Sequence, residues 1–120
     1  MVIILAVTCN LDCSKDLDIV FRGATPKFSF NVCLDTDIID LDNSHIMFTS
    51  GAGKVDKSGV DIVVEQQGVL SCSLTQEETM SFTASQVNIQ ILITTKNGQK
   101  PVSIIWAIPV SNTLRGDDKW

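Results

Sequence analysis

Residues Gln86–Val110, QVNIQILITTKNGQKPVSIIWAIPV, decide the fold class. Val87, Ile89, Ile91 and Ile93 alternate with polar residues on one side of Asn97-Gly98, and Val102, Ile104, Trp106, Ile108 and Val110 alternate on the other. Side chains of a strand point to opposite faces in turn, so this period of two marks two half-buried strands. Asn-Gly between them is a hairpin signal, because both residues tolerate positive φ. Ile93 and Val102 are therefore expected beside the turn of an antiparallel hairpin.

The same alternation recurs upstream. Leu17, Ile19 and Phe21; Phe28, Phe30 and Val32; Ile46 and Phe48; Val60, Ile62 and Val64; and Leu70, Cys72 and Leu74 all show it. Gly23, Pro26, Asp42-Asn43, Gly51, Gly53, Ser58-Gly59 and Gly68 punctuate these runs as turn residues do. Strand runs about 10 residues apart, with no long amphipathic helix, predict an all-β fold: an antiparallel Ig-like β-sandwich of about 7–8 strands. Two interruptions, Leu34–Asn43 and Leu74–Phe82, are expected to form single helical turns or compact loops that close the sandwich. The second holds Thr75-Gln76-Glu77-Glu78, a capping-box pattern predicting one turn of helix near 75–80 with Thr75 and Glu78 as its reciprocal caps. Residues 1–114 read as one domain and 115–120 as a tail, in which Trp120 is the candidate partner anchor.

The chain has 120 residues, a formal net charge of -5 and a pI near 4.6. Its nine basic residues are scattered singly, which argues against a nucleic-acid partner, since phosphate binding needs clustered Lys and Arg. The opening MVIILAV is too short to span a bilayer and lacks a basic start, so it reads as a buried first strand. No membrane association is expected, nor export by a signal peptide. Cys9 and Cys13 lie four apart while Cys33 and Cys72 stand alone in apolar runs, which is not zinc spacing. Cys33 and Cys72 read as small buried apolar residues, and reduced.

Candidate chemistry is sparse. His45 is the only histidine and has no cysteine near it in sequence, and Gly-x-Ser-x-Gly is absent. Asp35, Asp37 and Asp40 have the alternate spacing of calcium-loop oxygens, yet the Gly and the distal Glu of an EF-hand are missing. Glu77 and Glu78 favour a helix N-terminus more than acid–base work. Ser50–Lys54, SGAGK, reads as a hairpin tip, and Arg115–Asp117, RGD, as a chance tripeptide. No catalytic residue and no cofactor is assigned.

The segments FRGATPKFSFNVCLDTDIIDLDNSHIMFTS and LSCSLTQEETMSFTASQVNIQILI resemble small structural proteins of tailed bacteriophages of Firmicutes, in the layout of the N-terminal, virion-facing domain of the upper baseplate protein family. Phe21 to Gly23 with Thr25, Phe28 and Phe30 match one part of that pattern; Leu74 to Thr79 with Phe82, Val87, Ile89 and Gln90 match the other. The resemblance covers residues 16 to 114. Ala24 departs from a position where an acidic residue is frequent, and the sequence stops at Trp120 without receptor-binding or coiled-coil extensions. What the resemblance implies is a non-enzymatic virion structural or assembly protein of tail, baseplate or connector. Its implied partners are other virion proteins and further copies of itself as a homo-oligomer; it would be made in the host cytoplasm and located in the virion. A ligand- or carbohydrate-binding sandwich and a small protein inhibitor are the alternatives. Against the carbohydrate reading, the chain has no Tyr and its Phe sit in core-patterned runs.

Overall fold

The computed structural model describes residues 19–32, 34–103 and 105–116. The opening MVIILAV, Leu17, Cys9, Cys13, Cys33, Ile104 and Trp120 lie outside them. Described strands are β1 (Val20–Arg22), β2 (Lys27–Asn31), β3 (His45–Ser50), β4 (Gly53–Ser58), β5 (Val63–Gln66), β6 (Val69–Ser73), β7 (Gln86–Leu92) and β8 (Trp106–Asn112). One short helix, α1 (Gln76–Met80), stands between β6 and β7. The strands form a five-stranded sheet of order β1-β8-β7-β3-β4 and a three-stranded sheet of order β2-β6-β5. In immunoglobulin lettering β2, β6 and β5 stand as B, E and D, and β8, β7, β3 and β4 as G, F, C and C′. The fold is an Ig-like β-sandwich.

Among the described strands the pairs are antiparallel except one: β1 runs parallel to β8, with Val20 opposite Val110. After β1 the chain leaves this sheet for the other one through Gly23 (φ 87°) and Pro26, and enters β2. Such a crossing needs a residue that takes positive φ without strain, which Gly provides.

Aromatic rings pin the two sheets together. Phe28 of β2 meets Phe48 of β3 with centroids 5.3 Å apart at 51°, and Phe30 stacks on Trp106 of β8 at 5.5 Å. Antibody domains join strands B and F by a disulfide packed on a Trp of strand C. Here Phe48 stands on that strand, and Val87, Ile89 and Ile91 of β7 surround it with aliphatic carbon, all of them buried.

Three expected strands shift. In β1 it is Val20 that is buried, while Ile19 and Phe21 face outward, because the parallel register sets Val20 against inward Val110. Val60, Ile62 and Val64 do not form one alternating strand. Gly59–Asp61 is a 3-10 turn that leaves Val60 95% exposed, Ile62 alone is buried, and β5 starts after it on the sheet edge.

The third shift lies in the last hairpin. Thr95 N–H donates to Gln99 O and Gly98 N–H to Thr95 O, each at 2.9 Å, and only Gly98 takes positive φ (91°). The Asn97-Gly98 turn is thus a longer loop with one left-handed glycine, not a two-residue turn needing two positive φ values. Leu92 bridges Val102, yet Ile89 pairs with Trp106, so the second arm carries one extra residue between those pairs. That bulge reverses the phase. Val102 falls outside, Trp106, Ile108 and Val110 turn inward, and Ile105 is left 60% exposed. The Ser103 hydroxyl takes over as acceptor for Ile91 N–H at 2.9 Å.

Candidate functional site

The segment LTQEET builds a corner. Thr75 Oγ1 accepts from Glu78 N–H at 3.1 Å, and Glu78 Oε1 accepts from Thr75 N–H at 2.8 Å, which completes both halves of the capping box. Replacing Thr75 with Ala is expected to cost about 1 kcal/mol in urea denaturation, the usual loss for an N-cap hydroxyl. Glu78 has a second task absent from the sequence pattern. Its carboxylate pairs with Lys57 Nζ of β4 at 2.9 Å, and Lys57 is only 9% exposed.

Burial pushes the Glu78 carboxyl up, but the hydrogen bond and charge of Lys57 and the bonds from Thr75 outweigh it and hold the group below the ordinary glutamate value. A depressed folded-state value means the unfolded chain binds the proton first on acidification. The stabilisation is therefore complete above the unfolded glutamate value, about 4.3, and disappears as pH falls through the lower folded one. Thermal melts from pH 7 to pH 3 should show this acid loss, and the Glu78→Gln variant should show a smaller one.

Thr79 joins the corner to the start of the domain. Its buried hydroxyl accepts from Gly23 N–H at 3.0 Å and donates to Ala24 O at 2.9 Å. Arg22 adds a clamp: Nε donates to Phe82 O at 2.6 Å, one terminal nitrogen to Ala84 O at 2.8 Å, and the other to Asn112 Oδ1 at 2.9 Å. Arg22-Gly23 and Leu74–Thr79, far apart in sequence, are two sides of one structural joint.

The aspartate loop is not gathered around a cation site. Asp35 Oδ1 accepts from Asp37 N–H at 3.0 Å and from Gln67 Nε2 at 2.8 Å; the Gln67 bond, then that of Asp37, lowers its carboxyl from the usual value. Asp40 Oδ2 accepts from Asn43 Nδ2 at 2.8 Å. Asp35 caps the 3-10 turn Thr36–Ile38, Asp40 precedes the turn Leu41–Asn43, and Lys96 N–H donates to Ile38 O to hold the hairpin tip. Among the described residues no group of three or more His, Cys, Asp or Glu is arranged to hold a metal. No described helix is long and apolar enough to cross a membrane.

A second pairing was not legible in the sequence. His45 Nδ1 lies 2.7 Å from Asp56 Oδ1, across β3 and β4. Both side chains are well exposed, and Ser58, opposite His45 in register, makes no hydrogen bond to the ring. The pair sits on an open sheet face, and the backbone around it is committed to the β3–β4 and β3–β7 ladders. A hollow of about 370 Å³ opens at the flank between β4 and β5. Lys27 and Glu65 cross it as an ion pair, and Lys57 and Asp61 add one charge of each sign.

The outer face of the five-stranded sheet is the most distinctive surface. On β8, Ala107, Pro109 and Ser111 point outward; on β7, Gln86, Asn88, Gln90 and Leu92; on β3, His45, Met47 and Thr49. With Phe21 of β1 and Ile105 beside β8, this area carries no Asp, Glu, Lys or Arg. Charges appear only on edge strand β4, as Lys54 and Asp56. The sequence held a signal for it: from Thr79 to Leu114 the only charged residues are Lys96 and Lys100, both at the hairpin tip. Exposed aromatics are scarce, since Trp106 is partly buried on Phe30 and Phe21 is at the sheet's edge.

No protein-family model matches the chain, and no curated protein matches it. Among solved structures, the chain is similar to the crystal structure of the Ig1 domain of mouse SynCAM 2, with a TM-score of 0.40 and 12% identity, over 84% of this chain and 96% of that chain.

Proposed function

We propose that the chain is a non-enzymatic structural or assembly protein of a tailed-phage particle, in the tail, baseplate or connector, and that it works through contacts with other proteins. The observation that carries the contact reading is the uncharged outer face of β1, β8, β7 and β3 on a protein of net charge -5. Interface centres are depleted in charge relative to other surface, and a soluble sheet face without a use for contact is ordinarily salted with Lys and Glu. The particle as its setting is supported by the resemblance of the Arg22–Phe30 and Leu74–Gln90 segments to virion-facing baseplate domains. In this protein those two segments meet at the Thr79–Gly23 joint.

A sugar-binding role has less support. Carbohydrate platforms use exposed aromatic rings, and on this face Phe21 is the one aromatic side chain among the described residues. Mass spectrometry of purified particles tests the proposal: the protein should be present in stoichiometric amount with the neighbouring structural proteins. Absence from the particle overturns it.

A further inference from the structure

We infer that the uncharged outer face binds a second copy of this chain, sheet against sheet, about a two-fold axis perpendicular to the strands. This rests on the contact function proposed above and names the partner. Charge is the first argument. Two copies of net charge -5 repel, and the encounter is least unfavourable where each presents a patch without net charge. The face with its β4 rim meets that condition, because Lys54 and Asp56 cancel in the formal charge and the one histidine there, His45, pairs with Asp56.

Register is the second argument, because it makes the face complementary to itself. One row across the sheet holds Lys54, Thr49, Asn88 and Ala107. The adjacent row on the same face holds Asp56, Met47 and Gln90, with Ile105 beside Gln90. A two-fold axis between the rows exchanges them. Lys54 of one copy then faces Asp56 of the other, whose carboxylate also pairs with His45 of its own chain at 2.7 Å, the amide of Asn88 faces that of Gln90, and Ile105 falls over Ala107. Between the rows lies a dimple of about 80 Å³ lined by Met47, Thr49, Asn88, Gln90 and Ile105. An isologous contact requires such reciprocity, in which residue i meets j and j meets i.

Size sets the strength. Four strands of six or seven residues and one of three, about 4.8 Å apart, offer roughly 450 Å² per copy, about 900 Å² in all. That is the size of a weak, transient contact, so the dimer forms only as the concentration approaches the millimolar range. Copies fixed side by side in an assembly experience millimolar effective concentrations, at which such a contact is occupied.

Sedimentation equilibrium of the 120-residue chain from about 10 µM to about 1 mM tests this, with thermal melts to verify folding of each variant. Wild type should pass from monomer to dimer. Ile105→Glu should weaken association at least about a hundredfold, as loss of a central contact does. Lys54→Asp should weaken it about tenfold by placing like charges opposite each other, and adding Asp56→Lys should restore it. Wild type that stays monomeric throughout, or a dimer indifferent to Ile105→Glu, overturns the inference. A monomer that is nonetheless present in purified particles overturns the second copy alone and leaves the virion reading standing. A wild-type dimer with the expected variant pattern, absent from particles, upholds the pairing and overturns that reading.

Discussion

Phe48→Ala is expected to lower the free energy of unfolding by about 4 kcal/mol, within the range for deleting a buried aromatic side chain. Phe48 is fully buried at the centre of β3, between β4 and β7, and its ring reaches Phe28 on the opposite sheet. Truncation removes an aromatic contact that joins the two sheets. Neighbouring strands are hydrogen-bonded on both sides of β3, so the backbone cannot close in on the space, and the residual cavity adds to the lost transfer energy. Against a total stability of about 5–15 kcal/mol for a domain of this kind, such a loss moves the urea midpoint far. Phe48→Leu keeps most of the volume and should lose only about 1.5 kcal/mol. Denaturation curves with unchanged slope check this; a Phe48→Ala loss below about 1 kcal/mol contradicts the two-sheet core.

The second large effect is expected at Glu78. Glu78→Ala should cost about 3 kcal/mol at pH 7, because it strips the partner from a Lys57 ammonium that β4 holds almost out of water and removes one half of the capping box as well. Lys57→Met should cost much less, under about 1.5 kcal/mol, because it takes the charge away while the methylene stem's packing is kept. The asymmetry separates a buried-charge penalty from simple loss of a contact. In a double-mutant cycle, Glu78→Ala in the Lys57→Met background should retain only the capping cost of about 1 kcal/mol. Equal losses for the two single changes at pH 7 would mean the ion pair is solvated and incidental.

The strands of highest periodicity were legible because both faces of their environment agree: Phe28, Phe30, Ile46, Phe48, Leu70, Cys72, Leu74 and Val87 to Ile93 alternate and are buried as the period demands. Thr75 and Glu78 were legible too, since a capping box is local chemistry three residues long. What escaped the sequence was set by partners far along the chain. Val20 replaces Ile19 and Phe21 as the inward residue of β1 because β8 fixes the register. Val102 turns outward because a bulge inserts one residue opposite β7, and nothing in PVSIIW marks where it sits. The Lys57–Glu78 and His45–Asp56 pairs were hidden for the same reason: each joins residues whose proximity exists only once the sheet is assembled. The uncharged face falls between these cases. Its amides and small residues are plain in the sequence, but only the strand order gathers them into one surface.

Hydroxyl-radical footprinting that compares the free chain with the chain in purified particles of the proposed phage tests contact through the uncharged sheet face. Phe21, Met47 and Ile105 report on the outer face of the five-stranded sheet, while Val60, Val63 and Leu114 are exposed elsewhere. Contact through the uncharged face predicts that Met47 and Ile105 lose most of their labelling on assembly while Val60 keeps its own. Unchanged labelling at Met47 and Ile105, with protection confined to Val60, Val63 or Leu114, contradicts it.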